Sequence, residues 1–518
     1  MRTRLRRVRF AAPAPHTIVI RAWVWVMLGA LAAVPSAEAQ TAPEQYLVVP
    51  FENATGEPRV YWLTEGSAVI LTDDVIALGE TAIARDDRLR AFDRLRVPPI
   101  STLSHATVIR LGQIVGAAHV VVGVFELQGD ELVVRARAIR LDTGQISPEL
   151  VERGPLGELL AVYGRIARRI VPDSPVSAEQ MELGQPPLAA VENLIKGLLA
   201  EMPDTQIAYL TQALRLFPNL QRARVALWYI HSDASEHLAA LAIIRQVPPG
   251  HRLTRQARFL EALSFLRLGQ YQESFNTFAD LQRERPDPTL LNNLGIVQLR
   301  RPDGAPGDSA VSYLTGAIDA DPADPDLFFN LGYAYWLDKD LPSAISWLRE
   351  AVRRNPADDA AHYLLGVALQ ASGSAAEAAR EKDLARRLSS TYEEWEATQP
   401  DANAVPDGLE RLKTEIDVPA SLRVESAVVA AEQSDQRATA AFHLESGRRL
   451  FEEGRDLDAI AELRRTVFLS PYEAEAHLLL GRVYLRLGRQ QEAIDALKIA
   501  VWSDPANGEA QALLDSLP

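Results

Sequence analysis

The stretch PDLFFNLGYAYWLDKDLPSAISWLREAVRRNPAD, residues 325–358, decides the fold of this chain because its pattern returns with a period of 34 residues. Leu331-Gly332 recurs as Leu365-Gly366, and Gly447 recurs as Gly481. Each of these glycines is followed twelve residues later by an alanine: Ala344, Ala378, Ala459 and Ala493. A fixed period with small residues at fixed offsets predicts a stacked helical repeat. Repeats of this kind bind other proteins far more often than they catalyse reactions.

The same stretch resembles the tetratricopeptide repeat, a helix-turn-helix of 34 residues. With Pro325 as position 1, the family's positions 4, 7, 8, 11, 20, 24, 27 and 32 hold Phe328, Leu331, Gly332, Tyr335, Ala344, Leu348, Ala351 and Pro356. Small residues at positions 8 and 20 let the two helices approach closely, and the proline ends the second helix. Complete or degenerate copies cover most of residues 190–518. The resemblance implies a mostly α protein, an α-solenoid of helical hairpins.

Residues 44–172 have a different pattern, which predicts a small α/β domain in front of the solenoid. The apolar run Tyr46–Phe51 and the nearly continuous run His119–Phe125 are typical of buried strands. Leu132–Leu141 alternates between apolar and charged residues and predicts a half-exposed strand. Helices are expected over Trp62–Ile76, over Gly157–Ile170, and between the N-cap Ser104 and Gly116.

The string VPFENATG, residues 49–56, resembles the opening of the TolB amino-terminal-like domains. A helix leading into GAAHVVVG, residues 116–123, and the later Asp142-Thr143-Gly144 fit the same pattern. The resemblance covers about 120 residues. It implies that this domain is a non-catalytic interaction module.

The N-terminus has the pattern of a secretory signal peptide. Five arginines within the first nine residues form a basic region, Ala22–Val34 is an uncharged apolar run, and Ala37-Glu38-Ala39 is a small-x-small cleavage site. We expect cleavage after Ala39 and a periplasmic or secreted protein without an integral membrane span. The alternative is an uncleaved membrane anchor, but the apolar run has 13 residues, fewer than the roughly 20 that span a bilayer.

These patterns predict five segments along the chain. They are the signal peptide 1–39, the TolB-like domain 40–172, the main repeat array 188–387, a linker 388–436 and a C-terminal repeat pair with a capping helix, 437–518. The linker is expected to form one helix over residues 408–416, with Leu409, Leu412 and Ile416 on one face. Two repeats are too few for a stable stack. The C-terminal pair therefore borrows surface, either from its capping helix and the 408–416 helix or by docking on the main array.

Composition and motifs give no support to an enzyme, a metal site or a cofactor site. Cysteine is absent, which excludes disulfides and thiolate chemistry, and the net charge of −15 disfavours binding to nucleic acid. His-Glu-x-x-His, the phosphate-binding loop and Gly-x-Ser-x-Gly are all missing. The acidic run from Asp319 to Asp326 lacks the glycine and terminal glutamate of a calcium loop and coincides with an inter-repeat turn.

The tetratricopeptide resemblance implies that the first helix of each repeat lines a concave groove. The groove positions of the central array that we expect to contact a partner are Asn293, Phe329, Asn330, Tyr333, Trp336 and Tyr363. The two asparagines can hydrogen-bond an extended peptide. The alternative for the aromatic residues is packing between helices, whereas we favour exposure in the groove for Tyr333 and Trp336.

The C-terminal pair has its own set of groove residues: Arg448, Phe451, Arg482 and Arg486. Three arginines converge there in an acidic chain, and arginine forks match carboxylates. This indicates an acidic segment or a C-terminal carboxylate as ligand. The alternative is that the arginines pair with Glu445, Glu452 and Glu475 nearby.

The sequence thus predicts an exported, non-catalytic scaffold that binds other proteins or peptides on a concave helical surface. The alternative places the activity in the α/β domain, either as a binding module or as a subunit of an outer-membrane secretion or envelope assembly.

Overall fold

A computed structural model describes residues 45–97, 103–182, 185–301, 310–398, 405–418, 422 and 426–517. The predicted signal peptide and its cleavage site lie outside the described residues. Within the described ranges, no helix has the length and apolar character needed to cross a membrane.

The N-terminal part is a six-stranded sheet with helices on both faces. Its strands are β1 (Gln45–Val48), β2 (Glu52–Asn53), β3 (Thr81–Ala82), β4 (His119–Gln128), β5 (Glu131–Arg140) and β6 (Leu150–Pro155). Its helices are α1 (Leu63–Ala77), α2 (Arg85–Arg94), α3 (His105–Val115), α4 (Leu159–Ile170) and the short α5 (Ala178–Glu182). Strand β1 lies between β3 and β4 in parallel, and β4, β5 and β6 form an antiparallel meander.

Two apolar layers cover the sheet because successive residues of a strand point to opposite faces. Leu47 and Val120 pack with α2 and α3, whereas Val48 and Val121 pack with α1 and α4. This confirms the prediction that the strand starting at His119 is covered on both faces. Ser104 caps α3 as predicted, by accepting a hydrogen bond from the Thr107 amide.

Most of the remaining described residues are helical. Six hairpins form the main array: α6 (Leu188–Leu199) with α7 (Pro203–Leu216), α8 (Gln221–Asp233) with α9 (His237–Ile244), α10 (Thr254–Arg267) with α11 (Tyr271–Glu284), α12 (Pro288–Arg300) with α13 (Ala310–Ala320), α14 (Pro325–Leu337) with α15 (Leu341–Arg354), and α16 (Asp359–Ala371) with α17 (Ala375–Leu388). Helix α18 (Thr391–Thr398) follows. The C-terminal part comprises α19 (Ser426–Glu452), α20 (Asp456–Leu469), α21 (Ala474–Arg486), α22 (Gln490–Ser503) and α23 (Gly508–Asp515).

The repeated glycines allow the two helices of a hairpin to touch. A Cβ atom on Gly332 would lie 2.7 Å from Leu348 Cγ, and one on Gly481 would lie 2.7 Å from Leu497 Cγ. Both distances are shorter than van der Waals contact, so a larger residue would push the helices apart. The periodic glycine is therefore a packing requirement, as the sequence predicts.

The C-terminal repeats dock mainly on the α/β domain. Tyr472, Ile499 and Trp502 join the core formed by the sheet and α1, and the rings of Tyr61 and Tyr472 lie 5.9 Å apart. The Tyr209 hydroxyl of α7 donates to the Trp502 carbonyl at 2.7 Å. Among the described residues, the expected docking on the main array occurs at its first hairpin. Helix α23 also packs on the pair, through Ala510, as predicted.

The predicted helix over residues 408–416 is wrong. Residues 409–418 have no helical hydrogen bonding and run as an extended segment. The three apolar residues have helical spacing, but they do not share one face. Leu409 packs on the core around α14, whereas Leu412 and Ile416 pack on a second core around α10 and α12. The apolar residues therefore contact different repeats rather than one common surface.

Replacing Gly332 by Ala should lower the free energy of unfolding by about 1–3 kcal/mol because the added methyl overpacks the contact with Leu348. Gly316→Ala is the matched control. Its Cβ would meet only Leu291 Cδ1, at 3.6 Å, so the variant should be neutral or slightly more stable. Urea unfolding followed by circular dichroism measures both, and equal midpoints for the two variants would contradict the packing argument.

The docked interface contains two neighbouring carboxyl groups. The Ser470 hydroxyl donates to Glu201 Oε1 at 2.6 Å, and Glu473 lies beside Glu201. Burial, followed by the charge of Glu201, raises the pKa of Glu473 from 4.5 to about 7. The native state therefore keeps a proton between pH 4.5 and 7 that the unfolded chain has lost. Stability from this group is accordingly present below pH 4.5 and is lost as the pH rises through 7.

Glu473→Gln should be more stable than the wild type by roughly 1 kcal/mol at pH 8. This figure is smaller than the pKa shift alone would give, because Glu473 is partly exposed to solvent. The advantage should disappear below about pH 4.5, where the unfolded-state carboxyl is protonated as well. Urea midpoints between pH 4 and pH 8 measure this dependence. Glu453→Gln, at an exposed turn position, is the control and should show no pH-dependent gain.

Candidate functional site

The concave side of the main array is filled by a segment of the same chain. Residues 405–418, which we name the strap, run antiparallel to the repeat order, from α14 towards α12 and α10. Val405 and Leu409 pack beside α14 and its neighbours, and Leu412 and Ile416 pack beside α10 and α12. The inner helices thus contact an extended polypeptide along three successive repeats.

Two asparagines hold the strap backbone. Asn330 accepts a hydrogen bond from the Arg411 amide at 2.7 Å and donates to the Arg411 carbonyl at 3.0 Å. Asn293 pairs in the same way with Lys413, at 3.1 Å and 2.8 Å. A side-chain amide here replaces the backbone of a neighbouring β-strand. Since alternate residues of an extended chain present their amides to one side, the two asparagines contact residues that are two positions apart.

The groove asparagines also hydrogen-bond to one another. Asn330 Nδ2 donates to Asn292 Oδ1 at 2.7 Å, and Asn292 Nδ2 also donates to the Arg411 carbonyl at 3.0 Å. All three side chains are fully buried. Because they lie on α12 and α14, their spacing is set by the stacking of rigid helices.

Three carboxylates bind the two basic side chains of the strap. Arg411 forms ion pairs with Asp326 at 2.7 Å and with Asp358 at 2.5 Å. Its guanidinium lies 3.9 Å from the centre of the Phe329 ring. Lys413 Nζ lies 2.7 Å from Asp324 and 2.6 Å from Asp326. The basic residues therefore enter an acidic pocket with an aromatic floor.

The acidic pocket and the basic residues stabilise each other's charges. Burial favours a neutral carboxyl, but Lys413 and Arg411 hold the pKa of Asp326 down at about 2. Burial opposes the positive charge of Arg411 and Lys413, yet Asp358, Asp326 and Asp324 raise the pKa of both. At Asp324, burial outweighs the charge of Lys413 and raises the pKa of that carboxyl.

Acidic strap residues fix the register at both ends. Glu410 forms an ion pair with Arg300. Asp417 forms ion pairs with Arg285 and, at 2.9 Å, with Arg255. The Asp417 amide donates to Asp287 Oδ2 at 3.1 Å. The acidic residues of the strap thus lie beside basic residues of the groove, and its basic residues lie beside acidic ones.

The strap also reaches the α/β domain. Glu415 lies 2.6 Å from Arg90 of α2, and Val418 and Leu422 pack on the core that includes Phe92. A cavity of about 1220 Å³ lies between the strap, α2 and the helices α6, α7, α8 and α10. The strap forms one wall of this cavity.

The predicted groove residues of the central array all lie beneath the strap and α18. Asn293, Phe329, Asn330, Tyr333 and Tyr363 are buried, and Trp336 is half-buried. The expected exposure of Tyr333 is wrong because Gly408 and its neighbours cover this ring. Tyr363 stacks on Tyr392 of α18, with ring centres 4.4 Å apart.

Among the predicted C-terminal residues, Arg482 and Arg486 come together over Phe451, and each of the three arginines has an acidic partner. Arg448 pairs with Glu445 and Glu475, Arg482 with Glu509, and Arg486 with Asp456. Arg482 and Arg486 lie 4.9 Å and 3.9 Å from the centre of the Phe451 ring. The alternative of local pairing therefore holds for Arg448, with two of the three glutamates named for it.

Sequence reasoning missed the acidic side of the groove. Asp287, Asp324 and Asp358 are the N-caps of α12, α14 and α16, and each accepts a backbone hydrogen bond of its own helix. All three also contact the strap. Their periodic place before each inner helix is the signal that could have identified them. The same periodicity is explained by helix capping alone, which hides the second role.

Comparisons with known proteins agree with the helical repeats. The tetratricopeptide repeat family model matches residues 307–359 and 427–510. Solved structures similar to this chain include MamA from Desulfovibrio magneticus RS-1, with 20% identity, 35% of this chain and 97% of that chain covered, and a TM-score of 0.29. Another is YrrB, described as a TPR protein with an unusual peptide-binding site, with 19% identity, 36% and 94% coverage, and a TM-score of 0.28. A third is PilF of Pseudomonas aeruginosa, with 16% identity, 40% and 94% coverage, and a TM-score of 0.32. No curated protein matches the sequence.

Asp326→Asn should loosen the strap, because it removes a carboxylate shared by Arg411 and Lys413. Breaking a buried ion pair costs about 3 kcal/mol, so the released population should rise roughly 100-fold. Trypsin reports this directly, since it cuts after Arg411 and Lys413 only when the strap is free. Asp319→Asn, at an exposed position of the same acidic run, is the control and should be cut at the wild-type rate. Equal rates for all three proteins would contradict the assignment.

Proposed function

We propose that this protein is a non-catalytic scaffold whose central repeat array binds an extended segment of a partner protein in its concave groove. The observation that carries the proposal is the pairing of Asn293 and Asn330 with the backbone of the strap. Groups that recognise a backbone at two alternate positions are suited to binding extended polypeptide.

The groove is preorganised for such a segment. Asn292 orients Asn330, and both lie on helices held by packing on either side. Little conformational entropy remains to be lost when these amides bind, which favours affinity. The mode resembles strand addition, in which main-chain hydrogen bonds provide affinity and side-chain pockets provide specificity.

We further propose that the scaffold works in the periplasm or outside the cell. The basic, apolar and small-x-small pattern of residues 1–39 supports export, with cleavage after Ala39. The acidic composition supports protein partners over nucleic acid.

The α/β domain supports this scaffold as a brace. Its core is continuous with Ile195 of the first hairpin and with Tyr472 and Trp502 of the C-terminal repeats. An isolated domain would expose these contact surfaces to water. Its TolB-like resemblance at VPFENATG, residues 49–56, remains compatible with a binding role at the cell envelope.

A released variant of the mature chain tests the groove. Arg411→Ala combined with Lys413→Ala removes the basic side chains of the strap and leaves the groove intact. A labelled peptide with the sequence of residues 405–418 should bind this variant. Adding Asn293→Ala and Asn330→Ala should abolish the binding, because four backbone hydrogen bonds are lost. Fluorescence anisotropy measures the affinity.

Asn276→Ala is the matched control, because this exposed asparagine lies on α11, outside the groove. It should leave peptide binding unchanged. Circular dichroism establishes that the released variant is folded, and Leu412→Ser provides a second way to weaken the strap. If the peptide binds neither folded variant, the groove does not bind extended segments and the proposal is wrong.

A further inference from the structure

The chemistry of the strap defines what can replace it. An emptied groove would leave Asp324, Asp326 and Asp358 close together without the cations that now neutralise them. Buried carboxylates without a partner are strongly unfavourable, and like charges at this distance repel. A ligand must therefore bring positive charge to the same place.

The required charges have a defined spacing. Arg411 and Lys413 are two positions apart, and the asparagines bind the backbone of these same two residues. A ligand must consequently satisfy the backbone hydrogen bonds and the side-chain pockets in the same register. A cation shifted by one residue would point to the other side of an extended chain.

Apolar residues complete the pattern. Leu409 lies before the basic pair, Leu412 lies within it and Ile416 lies after it, and each packs on a repeat core. The Phe329 ring beneath Arg411 adds a further preference for a planar cation at the first basic position.

We propose that the strap is an internal competitor for a partner segment of the same chemistry: an extended segment with two basic residues two positions apart, bordered by aliphatic residues. This inference rests on the proposed function and adds the class of ligand. For the central array this inference gives a basic ligand, whereas the C-terminal arginines indicate an acidic ligand for the C-terminal pair. Partner binding displaces the strap, which also breaks the contact between Glu415 and Arg90.

A peptide series tests the ligand class on the released variant. The first peptide has the sequence of residues 405–418. In the second, Arg411→Glu and Lys413→Glu reverse the charges. In the third, Lys413 and Thr414 are exchanged, so that composition and net charge stay the same and the basic residues become three positions apart. We expect the second and third peptides to bind at least about tenfold more weakly than the first.

The wild-type chain tests the competition. Its strap occupies the groove, so the first peptide should bind it at least about tenfold more weakly than it binds the released variant. Trypsin cleavage after Arg411 should then accelerate as peptide is added to the wild type.

The outcomes separate the two proposals. Equal binding of the three peptides to the released variant would overturn the basic ligand class and leave the groove function standing. Equal binding of the first peptide to the wild type and to the released variant would overturn the competition. Failure of every peptide to bind a folded variant would overturn the groove function itself.

Discussion

The close contact between the helices of each hairpin is the constraint on which the rest of this structure depends. Where Gly332 meets Leu348, and Gly481 meets Leu497, a leucine side chain of the outer helix packs directly against the backbone of the inner helix. The inner helices therefore stack at a regular spacing. That spacing places Asn293 and Asn330 at alternate residues of one extended segment, so the geometry of the groove follows from the packing of small residues far from the ligand.

The elements that depend on local pattern could be predicted from the sequence. The hairpins, the strand that starts at His119 and the cap at Ser104 follow from periodicity and from residues adjacent in the chain. The strap could not be predicted, because its apolar residues have helical spacing and pack on repeats that are distant in the chain. The burial of Tyr333 was missed for the same reason. A side chain on a correctly predicted face can be covered by a segment whose path the sequence pattern does not reveal.

The N-cap aspartates combine two roles in one carboxylate. Asp358 accepts the Ala361 amide and pairs with Arg411, and Asp324 accepts the Asp326 amide and pairs with Lys413. The positive end of the inner-helix dipole stabilises each carboxylate, and a basic side chain of the strap neutralises its negative charge. The aspartate at this repeated position thus caps the start of an inner helix and also supplies a negative charge to the groove. The acidic side of the groove consequently inherits the period of the fold.

Attachment of the strap to the same chain determines how readily the groove opens. A tethered segment competes at an effective concentration on the order of millimolar, so a partner must exceed this advantage in affinity or in number of contacts. The strap is also held at Val418 and Leu422 by the α/β domain. Any event that weakens those contacts lowers the effective concentration of the strap at the groove. The apparent affinity of the groove for a partner segment then rises by the same factor. Because such coupling is reciprocal, a partner in the groove must equally weaken the hold of the α/β domain on the strap. The contacts of the α/β domain with the strap and the occupancy of the concave surface are therefore linked in one equilibrium.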